Sequence, residues 1–408
     1  MRKLPLVLAA ALGLALTVTG CAPQAETSPD GTDPETTQTE ETKSAEPTPV
    51  NVPPVGATIT ETGARWAASP DGAKFYTVGS LYRVFDSQTE PDYKNNKKVG
   101  VIALDLATGK VTAIEDLTAQ WLISGGPRVT HGMKVTEDGS TLIAVVSEGA
   151  DASSVGRIVK ADLTGATAVI SAEDAVSTTG LWLRNLILSK DNKTAYVAAC
   201  NHKSTTVVIV VDIVNMKQLG VFDTPKSKNP EDSGCATGGL ALNDDGSTLY
   251  AAVSSYPVDA ERSGGAVVAF DTSTGKPVAA QLLPSPGEAL YFLNGKVYAL
   301  ADSGVWRLSS DKFTIHDYQS RISDSYTTHD QLVTDGKWLY LVSNDSGSRD
   351  EIKKTAVRVI ALDAAAGGGA PEVYATVQSK AGFVDTLVAG GKLYVSTSEE
   401  VIEVALKG

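Results

Sequence analysis

Three of the four histidines, one arginine and several carboxylates recur near one place in a repeating pattern. Five residues before the residue that opens each of seven similar turns stand Ala64, His131, Arg184, Gly238, Glu288, His329 and Val384. Asp330 and Asp385 come one residue later, and His202 ends a neighbouring apolar run. Arginine and histidine donors suit an anionic small molecule. Three or four His, Cys or carboxylate ligands suit zinc. The metal reading is the weaker, because no His-x-His or His-x-x-x-His pair occurs. A plainer alternative is that these polar residues face water. They are taken as the candidate ligand-binding set, with no catalytic residue, no resident metal and no cofactor assigned.

Catalytic motifs are missing. There is no His-Glu-x-x-His, no P-loop and no Gly-x-Ser-x-Gly. Ser273-Thr-Gly-Lys276 matches Ser-x-x-Lys in form only, since it lies in one of the turns described below. The balance points away from an enzyme.

Residues 1–20 are read as an export signal. Arg2 and Lys3 precede an apolar run, Leu4 to Val18, that is short for a membrane span and right for a signal core. It ends Val18-Thr19-Gly20-Cys21, which resembles a bacterial lipobox. That implies cleavage before Cys21 and acylation of its thiol, palmitate being an expected chain. Two acyl chains at ~0.8 kcal/mol per buried CH₂ anchor a protein stably. Residues 21–54 are rich in Thr, Glu and Pro and poor in large apolar side chains, so they read as a disordered tether. About 30 such residues reach ~30 Å as a coil. The expected location is the extracytoplasmic face of the cell membrane, at the cell surface, with a monomer anchored in the bilayer through Cys21. A formal net charge of −13 excludes a nucleic-acid partner, because phosphate binding needs a Lys/Arg surplus.

Residues 55–408 carry the repeat that must position the polar set. A turn and an apolar strand recur as Ser69-Pro-Asp-Gly72, Thr136-Glu-Asp-Gly139, Ser189-Lys-Asp-Asn192 and Asn243-Asp-Asp-Gly246. Shorter copies centre on Asn294, Asp335 and Gly390. A second turn recurs as Asp105-Leu-Ala-Thr-Gly109 and Asp271-Thr-Ser-Thr-Gly275, with weaker copies at Asp162, Asp212 and Asp363. Asp bonds the backbone two residues on, and Gly takes the positive-φ position. Each unit of ~40–50 residues reads as four strands, the size of a propeller blade. The last unit offers three strands. The β-branched segment Val55–Thr60 is expected to supply its fourth, closing the ring.

Units of the form Ser-Pro-Asp-Gly … Tyr … Val-x-x-x-Asp-x-x-Thr-Gly resemble the YVTN-type seven-bladed β-propellers and their quinoprotein-dehydrogenase-like relatives. The resemblance implies an all-β, seven-bladed propeller over residues 55–408. It implies no particular activity, since the fold hosts many functions.

In such a fold both kinds of short turn share the bottom. Longer segments share the top: Leu81–Lys98, Glu148–Val155, Tyr256–Gly264 and Asn344–Thr355. Long irregular loops on a rigid scaffold usually carry function. The polar set falls at the same end. Cys200 and Cys235 fall there too, in neighbouring blades, and in an exported protein they are expected to form a disulfide. The reading is a binding or scaffold propeller that engages a small-molecule or protein partner through its top face. A lactonase-like or other hydrolase at the channel mouth and an extracytoplasmic metal chaperone are the alternatives.

Overall fold

Every repeat unit becomes one four-stranded antiparallel sheet, and seven sheets form a β-propeller. The computed structural model describes residues 50–52, 66–80, 99–108, 111–116, 128–148, 155–164, 175–201, 206–224, 239–253, 265–283, 287–301, 304–309, 315–319, 331–345, 354–361, 372–378, 383–397 and 401–406. The signal segment and the tether up to residue 49 lie outside the described residues.

Strand β1 (Val50–Val52) comes first. Blade one is β2 (Ala67–Ala68), β3 (Lys74–Ser80), β4 (Val99–Asp105) and β5 (Val111–Asp116). Blade two is β6 (Arg128–Val135), β7 (Thr141–Glu148), β8 (Val155–Asp162) and β9 (Ala175–Thr179). Blade three is β10 (Leu181–Leu188), β11 (Thr194–Asn201), β12 (Thr206–Asp212) and β13 (Lys217–Asp223). Blade four is β14 (Leu240–Leu242), β15 (Thr248–Val253), β16 (Gly265–Asp271) and β17 (Pro277–Leu283). Blade five is β18 (Gly287–Leu293), β19 (Lys296–Ala301), β20 (Gly304–Ser309) and β21 (Ile315–Gln319). Blade six is β22 (Gln331–Thr334), β23 (Trp338–Asp345), β24 (Lys354–Ala361) and β25 (Glu372–Gln378). Blade seven is β26 (Phe383–Ala389), β27 (Lys392–Thr397) and β28 (Val401–Ala405), with β1 outermost.

The closing strand corrects one expectation. It is Val50–Val52, paired with Glu403, Ile402 and Val401, and not Val55–Thr60. The propeller therefore starts inside the stretch assigned to the tether; Val55–Thr60 itself lies outside the described residues. Val50-Asn51-Val52 is bracketed by Pro49 and Pro53. Proline has no N–H to give a ladder, which holds this edge strand to three residues.

Burial follows position in the blade. The third strands β12 and β16 are buried along almost their whole length, as expected for strands covered on both faces. The outer strands β13 and β17 leave Leu219, Val221, Val278 and Leu282 exposed. Among the described residues, an apolar cluster lies between every pair of neighbouring blades, including blades seven and one. A single blade would leave both faces in water. The ring covers all of them, and that mutual burial makes the seven units one domain.

The short turns gather at one end. In blade two, Thr136 Oγ1 donates to Asp138 Oδ1 at 2.6 Å, and the same oxygen accepts the Ser140 N–H at 3.0 Å. Ser69 with Asp71 and Ser189 with Asp191 repeat the arrangement, while in blade four Asp245 Oδ1 accepts the Ser247 N–H and Asn243 Oδ1 accepts the Thr248 N–H. Asn192 stands where three other blades have Gly, and it holds a φ of 53°, a region Asn tolerates better than most residues.

Candidate functional site

The described members of the polar set, His131, Arg184, Glu288 and Asp385, fall at the opposite end of their blades. The connection from β3 to β4 leaves from the pair Ser80–Val99, at the far end of the ladder from the turn at Gly72. The innermost strands β6, β10, β18 and β26 start at this same end.

Each of these four strands has a β-bulge there, and the bulges coincide with the repeat position picked from the sequence. In β10, Leu183 pairs with Ala199 and Asn185 with Ala198, so Arg184 is the extra residue. Glu288 is the extra residue in β18, between Gly287 and Ala289. Val384 is the extra residue in β26, between Phe383 and Asp385. In β6 the irregularity runs from Arg128 to Gly132 and takes in His131. A bulge releases a residue from the ladder and re-aims its side chain, and bulges gather at the rims of closed sheets.

Neighbouring inner strands approach closely. A Cβ on Gly132 would lie 2.8 Å from Asn185 Oδ1 and 2.9 Å from Asn185 Cα. Gly132 follows His131, and Asn185 follows Arg184. The bulges of blades two and three are therefore set side by side. Gly239 and Ala289 make a similar approach between blades four and five, with a Cβ on Gly239 lying 2.9 Å from the Ala289 carbonyl carbon.

Arg184 is partly buried, and its Nε is buried without a hydrogen-bond partner. Burial pushes its pKa below the usual value. Asn185 Oδ1 accepts the Leu186 N–H at 2.9 Å, which fixes the strand immediately after the bulge.

Asp385 has a structural task. It is 6% exposed, and its Oδ2 accepts the Trp66 N–H at 2.7 Å. That bond joins blade seven to blade one. Its counterpart between blades six and seven is Gln331 Oε1, which accepts the Thr386 N–H at 2.8 Å. Innermost strands have no partner on their channel side, so these side chains satisfy backbone donors that the ladder leaves over. Sequence reasoning missed Gln331 and Asn185. Both are polar residues just beyond the repeat position, and that offset is the signal that could have found them.

His131 on β6 and Glu288 on β18 are placed by the backbone. His202, His329, Asp330 and Cys235 lie outside the described residues. Cys200 is buried near the end of β11, paired across the ladders with Trp182 and Thr206.

At the other end, the turn aspartates are held ionised. The Thr136 hydroxyl, then the Ser140 N–H and hydroxyl, lower the Asp138 pKa to about 2. Asp71 and Asp191 are lowered first by the Ser69 and Ser189 hydroxyls, and Asp245 is lowered first by the Ser247 side chain. These carboxylates are used up in shaping turns, which sets this end apart from the bulged one.

No family model matches the sequence. No curated protein matches it either. The fold is similar to solved β-propeller structures. A hydrazine synthase chain from Kuenenia stuttgartiensis is 17% identical over 85% of this chain and 97% of its own, with a TM-score of 0.52. BamB from Moraxella catarrhalis is 14% identical over 83% of each chain, with a TM-score of 0.50. A chain of the mitotic checkpoint complex is 12% identical over 95% of this chain and 99% of its own, with a TM-score of 0.51. At these identities the likeness establishes the β-propeller fold and nothing finer.

Proposed function

We propose that this chain is a lipid-anchored, extracytoplasmic propeller of the YVTN type that binds a small-molecule or protein partner through its bulged end. One observation carries the reading. The repeat position that holds His131, Arg184 and Glu288 is the position at which the innermost strands break their ladders. Bulges in four innermost strands, three of them at His131, Arg184 or Glu288, support reading this end as a binding rim on a rigid scaffold. A neighbour of similar fold was solved within a mitotic checkpoint complex, which fits a partner-binding use of the fold. Acylation at Cys21 supplies the anchor, and a Cys200–Cys235 disulfide ties the segment before blade four to blade three.

Deleting residues 82–97, around Tyr93, tests the proposal. The detergent-solubilised variant is expected to melt like the parent and to lose its co-purifying partner. A partner retained at parental level by the deletion variant would sink the binding-face assignment. Turnover of a lactone panel, abolished by His131→Ala, would replace it with the hydrolase reading.

A further inference from the structure

The outer rim carries an apolar row that the ring leaves uncovered. Among the described residues, the exposed large apolar side chains are Val214, Leu219, Val221, Val278 and Leu282, all on the outer side of blades three and four. In β17 they line up. Val278 is 63% exposed and Leu282 40%, and Ala280 between them is exposed as well. Ala279 and Leu283, on the other face, pack against the core shared with blade five. Strand β17 is outermost in its sheet, so its second backbone edge has no ladder partner among the described residues.

Open edges invite pairing with another chain, and folded proteins guard them with charge, proline or short length. The other outer strands are guarded in this way. Strands β5, β13, β21 and β25 carry Glu115, Lys217, Asp317 and Glu372. Strand β1 is three residues long between prolines. Strand β9 exposes Ser177, whose Oγ accepts from Arg157 Nη1 at 2.9 Å. Strand β17 is seven residues long and has no charged residue; Pro277 blocks only its first position.

We propose that β17 pairs antiparallel with β17 of a second copy of this chain, about a twofold axis at Ala280. Two features select a copy over a different protein. The strand is self-complementary: the axis sets Val278 against Leu282 of the second copy, and the reciprocal pair repeats the contact. The strand also has no charge, so like meets like there without repulsion, although the chain carries −13 overall. Pairing joins the two four-stranded sheets into one and gives the edge N–H and C=O groups partners. A strand of this length spans about 24 Å. One such pair buries less than the ~1,200–2,000 Å² of a stable interface. The dimer is therefore weak and forms as concentration rises, in place of the monomer expected from the sequence. The pairing does not depend on the bulged end being a binding face.

The test traps the pair covalently. Residues opposite each other in an antiparallel pair have Cα atoms ~4.5–5.5 Å apart, within the span of a disulfide. The full chain carrying Ala280→Cys is oxidised in detergent micelles beside the parent chain and Ser177→Cys, and the products are separated on non-reducing gels. Ala280→Cys is expected to give a covalent dimer that rises with concentration and exceeds both controls several-fold. Adding Val278→Lys, at a position open to water, removes the two reciprocal side-chain pairs and should cut that yield about fivefold. The further change Leu282→Glu, which the twofold sets opposite position 278, should restore most of it. A yield no higher than the controls overturns the pairing. A yield that ignores Val278→Lys, or that Leu282→Glu does not restore, overturns the twofold register. In intact cells, a photo-crosslinking probe at position 280 should give an adduct of twice the chain mass, distinct from any partner of the bulged end. Adducts of another mass alone would overturn the second copy as occupant.

Discussion

Phe75 of blade one and Tyr394 of blade seven meet at 4.8 Å between ring centroids, edge to face at 87°. They touch only if the first and last blades are neighbours, so their coupling measures ring closure. Phe75 is 1% exposed and Tyr394 5%. A buried aromatic ring covers about 200 Å², so at about 25 cal/mol per Å² its burial is worth about 5 kcal/mol. Cutting Phe75 to Ala should accordingly cost about 3–5 kcal/mol. That loss alone does not separate closure from ordinary burial. A double-mutant cycle with Phe75→Leu and Tyr394→Leu does, because an edge-to-face pair adds about 0.5–1.5 kcal/mol beyond its area. Equilibrium urea unfolding, followed by tryptophan fluorescence, gives the four stabilities. The closed ring predicts a coupling of about 1 kcal/mol. Additivity within about 0.3 kcal/mol would mean that the rings do not interact, and the seam would be wrong.

Asp385→Ala leaves the buried Trp66 N–H without an acceptor and should cost about 1–3 kcal/mol, while Asp385→Asn, which keeps an oxygen, should recover most of it in the same unfolding assay. Equal losses would refute the hydrogen-bonded seam. Asp138 should titrate at about 2 in carboxyl-carbon NMR, against an ordinary 3.8. Its folded pKa is depressed, so its contribution to stability is present above the unfolded pKa and lost as pH falls toward 2; a midpoint near 3.8 would contradict the turn geometry. Arg184→Met should raise the melting temperature of the ligand-free protein, since it removes a partly buried charge with no partner, and a lower melting temperature would mean that the guanidinium is paired. Intact mass after alkylation should reveal modified Cys200 and Cys235 only once reductant is added; two alkylated thiols without it would disprove the bond.

The blades were legible because each turn states its own geometry. Ser or Thr, then Asp, then Gly fixes a hairpin at one spot, and counting back from it reached the bulged residue in four blades. The reason for that spot was hidden, because a bulge depends on the facing strand. Arg184 is extra only relative to Ala198 and Ala199. The closing strand was missed for a similar cause. Val55–Thr60 has more β-branched residues, yet Val50–Val52, bounded by prolines, is the segment that pairs with β28. Asp385 resembled a ligand-binding carboxylate because its acceptor role depends on a blade 319 residues away in sequence. The degenerate turns of blades five and seven still form their inner hairpins, with Asn294 at φ 51° and Gly390 at φ 54°.

Site-specific photo-crosslinking in intact cells would decide which end of the propeller is used. One probe replaces Tyr93, in the connection leaving the bulged end, and the other replaces the exposed Thr274 in the turn after β16. A partner held at the bulged end gives adducts from position 93 and none from 274. Adducts from 274 alone would contradict the proposed binding face.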